Sequence, residues 1–152
     1  FGSNAVHVIK KAKCPVIVVP PKYEYEAPKE ILFPTDYEIE YQKDKIEALL
    51  TIANQHKSRI NVMHVRIGLD LNAVQNKNKE QLEKLLGDMS LFHEMPDNEI
   101  INAINEFQLK TRINLLVMIQ NKHTFLERLF IEPVIKKIGF HITVPFMVLP
   151  QL

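Results

Sequence analysis

From residue 30 onward, short apolar runs alternate with helical patterns, and that alternation leaves the chain few folds to choose from. "EILFPTD" (30–36) reads as a buried strand. Residues 41–56 place Ile46, Leu49, Leu50 and Ala53 on one helical face. "RINVMHV" (59–65) alternates as a strand, and residues 76–87 read as a charged, solvated helix with Leu82, Leu85 and Leu86 inward, stopped by Gly87. "MSLFHEM" (89–95) is a third strand, after which Asp97 caps a helix whose inner face is Ile100, Ile104 and Phe107. "INLLVMI" (113–119) has few polar breaks, as a central strand buried on both faces does. Residues 120–131 read as a loop, a last helix starts near Pro133, and "VPFMVL" (144–149) is the fifth strand. The pattern predicts an α/β unit over residues 30–152: an open, five-stranded, mostly parallel sheet with helices on both faces.

Residues 1–21 do not make a unit of their own. Ala5, Val8, Ile9 and Ala12 share a helix face, with Ser3 or Asn4 as the N-cap, and "CPVIVVPP" follows as a short apolar strand. This opening matches the close of the chain without a gap: Pro15 falls on Pro145, Val18 on Val148 and Pro20 on Pro150. It reads as the tail of a preceding copy of the same unit. Residues 22–29, polar and containing Pro28, read as a linker. The chain opens at Phe1 inside a helical pattern and reads as a piece of a longer protein.

Several function classes find no support. Net charge is +1, so there is no basic field for nucleic acid. No apolar run approaches the ~20 residues of a membrane span. Cys14 is the one cysteine; it reads as a small buried hydrophobe in a strand and fits a reducing compartment. The six histidines show no metal-ligand spacing, and His64 and His93 lie within strands as packed or hydrogen-bonded residues. There is no G-x-S-x-G and no acid–base or nucleophile constellation, so an enzyme is not expected.

"KEILFPTD", the alternation that follows it, "INLLVM" and the closing "VPFMVLP" together resemble a universal stress protein domain. The opening "GSNAVHVIKKAKCPVIVVP" resembles the end of another, as in tandem members of that family. The resemblance covers essentially the whole chain. It implies a Rossmann-like sheet ordered 3-2-1-4-5, of the adenine-nucleotide α-hydrolase-like kind, and a cytoplasmic stress-response role. It also implies fifth strands that pair antiparallel between neighbouring domains, here Val16–Val19 with Phe146–Leu149, within one chain or in a homodimer. Ligands in such sheets sit beyond strands 1 and 4. By the same resemblance the adenylate-contacting positions are Pro34, Thr35, Asp36 and Val65.

ATP-binding members carry G-x-x-G-x9-G-(S/T) after strand 4. The glycines let backbone N–H groups approach the phosphates at a helix N-terminus. In this chain those four positions hold Ile119, Lys122, Glu132 and Pro133. Proline suits the first turn of a helix but has no N–H to give. Glutamate suits a helix start but sets a negative charge where phosphate would lie. Two unit charges about 4 Å apart repel by roughly 4 kcal/mol at an effective dielectric near 20. Lys122 and His123 read as solvated loop residues rather than an alternative anion site. The expectation is a non-catalytic interaction or regulatory repeat without a cofactor, the alternative being ATP or AMP docked through Asp36.

Overall fold

The computed structural model describes residues 3–66, 70–96, 99–120 and 143–150. Helix α1 (Ser3–Lys11) and strand β1 (Val16–Val18) come first. They are followed by β2 (Glu30–Thr35), α2 (Glu47–His56), β3 (Arg59–Arg66), α3 (Ala73–Leu86), β4 (Ser90–Pro96), α4 (Ile100–Lys110), β5 (Leu115–Ile119) and β6 (Phe146–Leu149). The strands form one six-stranded sheet in the order β1-β6-β5-β2-β3-β4. Neighbours run parallel from β4 across to β6, and β1 alone runs antiparallel, against β6. Counted from residue 30, the order is 3-2-1-4-5. The expected five-stranded sheet is corrected at one edge, where β1 joins as a sixth strand.

Alternation along the strands divides the core in two. Leu32, Met63, Leu116, Met118 and Phe146 face Ile9 of α1 and Ile101, Ile104 and Phe107 of α4. Ile31, Phe33, Val62, Val117 and Met147 face Leu49 and Ala53 of α2 and Leu82 and Leu86 of α3. All five residues of β5 are buried, as its unbroken apolar sequence requires.

Several boundaries and faces differ from the sequence reading. α2 starts at Glu47, because residues 43–46 form a turn, with Lys45 N–H donating to the Gln42 carbonyl (3.0 Å). α3 starts earlier, at Ala73, because Asn72 and Gln75 form a reciprocal capping box. α1 buries Ile9 and leaves Val8 51% exposed, so its inner face is rotated towards Val6. Cys14 is exposed, since β1 does not begin until Val16. Asp97 and the segment with the last helix lie outside the described residues.

One polar chain crosses the α4 side of the sheet. Asn61, 3% exposed, donates to Glu30 Oε2 (2.9 Å) and to the Ile31 carbonyl (3.2 Å). Its Oδ1 accepts from His93 Nε2 (3.1 Å), which places the imidazole proton on Nε2. The other face of that ring packs edge-on to Phe107. Burial lowers the His93 pKa below its ordinary 6.5. The folded state therefore takes up this proton less readily than the unfolded one, and stability is lost as pH falls below 6.5. In urea titrations, the stability of the native chain relative to His93→Gln should be level above that pH and decline below it.

Candidate functional site

β2 and β5 pair only through Ile31–Leu115 and Leu32–Leu116. Beyond Leu116 they part, and a hollow opens between their carboxyl ends, lined by Pro34, Thr35, Asp36, Ile39, Tyr41 and Ile119. This is where the strand order reverses, the place open α/β sheets offer to ligands. Among the described residues the hollow has room for little more than a water molecule.

The loop leaving β2 is bound to the protein at each step. The Thr35 hydroxyl accepts from Tyr37 N–H (3.0 Å) and shares a hydrogen bond with the Tyr41 hydroxyl. Asp36 Oδ1 accepts from Glu38 N–H (3.0 Å), closing an Asx turn. Tyr37 takes a left-handed conformation at φ 57°, so the turn is tight enough to bury an aromatic ring completely. That ring stacks on His64 (centroids 4.9 Å), whose Nδ1 lies 2.8 Å from Glu94 Oε2.

Three amides on one face of α3 hold the loop from outside. Gln75 Nε2 donates to the Asp36 carbonyl (3.1 Å) and to Glu38 Oε1 (3.1 Å). Asn78 Nδ2 donates to the Tyr37 carbonyl (2.8 Å), and Gln81 Oε1 accepts from Tyr41 N–H (3.1 Å). The spacing of three puts all of them on the same stripe. The charged sequence of this helix reads as a solvated face and does not reveal the clamp. The signal was present as amides at 75, 78 and 81 among lysines and glutamates.

Burial raises the Asp36 pKa above its ordinary 3.8, and the nearby Glu38 carboxylate adds to the rise. The Glu38 N–H and His64 act against it. Burial also raises the Tyr37 and Tyr41 pKa values, so both phenols are neutral across the physiological range. No group of three or more His, Cys, Asp or Glu that could hold a metal occurs among the described residues.

Of the four candidate positions, Pro34, Thr35 and Asp36 line the hollow. Val65 sits near the end of β3, paired with Met95 and packed towards the α4 side of the core. Ile119, the first of the four changed loop positions, lines the hollow from β5 and is 7% exposed. Lys122, His123, Glu132 and Pro133 lie outside the described residues.

No protein-family model matches the chain, and no curated protein matches it. Among solved structures it is similar to a universal stress protein from Archaeoglobus fulgidus DSM 4304, with a TM-score of 0.65 at 12% sequence identity. The match covers 95% of this chain and 52% of the other, so the chain spans about half the length of that protein. At this identity the likeness is one of fold: a mixed α/β, Rossmann-like sheet of the universal stress protein kind.

Burial around the Asp36 carboxyl disfavours its charged form. Asp36→Asn keeps the Asx acceptor and removes the charge, and should raise stability at pH 7. Because the folded pKa is the higher one, that gain should be absent well below 3.8 and appear as pH rises through the folded value. Thermal unfolding of both chains from pH 3 to 7 measures it.

Proposed function

We propose that this chain is a non-catalytic module of the universal stress protein kind, acting through its surface in dimerisation, protein interaction or regulation. It works in the cytoplasm, without a cofactor, and its phosphate loop is degenerate. The observation that carries this reading is Ile119. A β-branched side chain fills the β5 side of the hollow, at the position where the resembling family uses glycine to bring backbone N–H groups to phosphate. Of the other three loop positions, Lys122 adds a Cβ where backbone must approach phosphate, Glu132 adds a negative charge and Pro133 removes an N–H. The Thr35 hydroxyl is already engaged by Tyr37 and Tyr41.

The tandem organisation belongs to the same proposal. Residues 1–21 are the end helix and strand of a preceding repeat, residues 22–29 the connection, and residues 30–152 the following repeat. Support comes from the 52% coverage of the Archaeoglobus protein and from the pairing of β1 with β6. The connection is fastened rather than loose. Glu26 is ion-paired with Arg112 and accepts from Asn114 Nδ2 (2.8 Å), while Asn114 Oδ1 accepts from Glu30 N–H (3.0 Å).

A second reading is favoured by Asp36 itself. A carboxylate kept at an energetic cost beside a hollow is a common mark of a binding site. On that reading ATP or AMP docks through Asp36 without the glycine loop.

Thermal unfolding with and without millimolar Mg-ATP, ADP and AMP separates the two. A ligand at 100 times its dissociation constant adds about 2.7 kcal/mol. The interaction-module reading expects no shift with any of the three. A shift that disappears in Asp36→Ala would replace it with the adenylate switch.

A further inference from the structure

β2 ends at Thr35 and α2 begins at Glu47, so an irregular segment joins them. Three of its residues, Asp36, Ile39 and Tyr41, line the hollow opposite the strand residues Pro34 and Ile119. Among the described residues, no backbone-to-backbone hydrogen bond ties residues 36–41 to the sheet or to a helix. The hydrogen bonds of this backbone run to side chains instead. Tyr37 N–H reaches the Thr35 hydroxyl and Glu38 N–H reaches Asp36. The Asp36 and Tyr37 carbonyls and Tyr41 N–H go to Gln75, Asn78 and Gln81 of α3.

The same short segment gathers three local costs. Tyr37 sits at φ 57°, where a residue with a Cβ is disfavoured. Its hydroxyl is buried and has no hydrogen-bond partner among the described residues, although buried polar groups are as a rule paired. The Asp36 carboxyl is buried against its own charge. Lifting the segment from α3 would relieve all three, since φ becomes free and both polar groups reach water. Opposing this are the buried rings of Tyr37 and Tyr41 and the three amides of α3. Strain held down by a few discrete contacts is the makeup of an element with two states.

We propose that residues 36–41 are a lid that lifts from α3 as one unit and opens the crevice between β2 and β5. The structure is the shut state. Opening withdraws Asp36, Ile39 and Tyr41 from the hollow, frees the Thr35 hydroxyl from Tyr37 and Tyr41, and uncovers the His64 ring. The Gln75, Asn78 and Gln81 stripe is the latch. The inference goes beyond the interaction-module reading, and its test uses no nucleotide, so either can fail while the other stands.

Hydrogen exchange of the full chain, followed by NMR at single amides, tests the lid. In the native chain the N–H groups of Tyr37, Glu38 and Tyr41 should share one opening constant, roughly tenfold or more above that of Val62 and Met63 in β3. Gln81→Ala removes the partner of Tyr41 N–H alone, yet should speed all three about fivefold, the worth of one hydrogen bond. Asn78→Ala touches only the Tyr37 carbonyl and should speed Tyr41 N–H as much as Tyr37 N–H. Cys14→Ser with Ile119→Cys sets a thiol in the hollow. Its labelling by methyl methanethiosulfonate should be slower than that of a free thiol, and should quicken by the same factor when Gln81→Ala is added. The proposal is overturned if the three amides open independently, or only together with β3. It is equally overturned if each α3 variant moves only the group it touches, or if the thiol labels at one rate with and without Gln81.

Discussion

β2 and β5 are apolar on both faces, and each face demands its own cover. α2 and α3 close one side and α1 and α4 the other, so the connections are driven to the two ends of the sheet. The same demand sets the place of the site. β2 is followed by β3 on one flank while β5 takes the other, so the chain departs in opposite directions from two adjacent strand ends. A crevice there is a consequence of topology before any residue acquires a function.

What fills the crevice is decided locally. Thr35 and Asp36 turn the chain with their own side chains, Tyr37 is driven inward in a left-handed conformation, and three amides of α3 fix the turn from outside. Ile119 then closes the β5 side. Among the described residues, the hollow is bounded by backbone whose polar groups are engaged within the protein. Asp36 is the exception, a carboxylate whose burial works against its charge. That residue keeps the adenylate reading alive beside the interaction reading.

The strands and their order were legible because burial on one or both faces writes itself into alternation. β2, β3 and β5 lie where "EILFPTD", "RINVMHV" and "INLLVMI" place them. Helix starts were less legible. Ile46 looks helical by spacing but is buried from a turn, which periodicity alone does not distinguish from a helix. Val8 and Cys14 read as buried because both are apolar, yet an edge helix and the approach to an edge strand leave such residues in water. At the site, Pro34, Thr35 and Asp36 were found through resemblance. The clamp of Gln75, Asn78 and Gln81 was not, since an amide pointing at a backbone carbonyl looks the same in sequence as one pointing at solvent.

On the proposed reading this chain keeps the fold without holding a triphosphate, because of the residues at 119, 122, 132 and 133. Equilibrium dialysis of Mg-ATP compares the native chain with one carrying Ile119→Gly, Lys122→Gly, Glu132→Gly and Pro133→Ser. Retention of ATP by the substituted chain alone is expected. Equal retention by both chains would overturn the proposed reading and return the function of this crevice to the nucleotide.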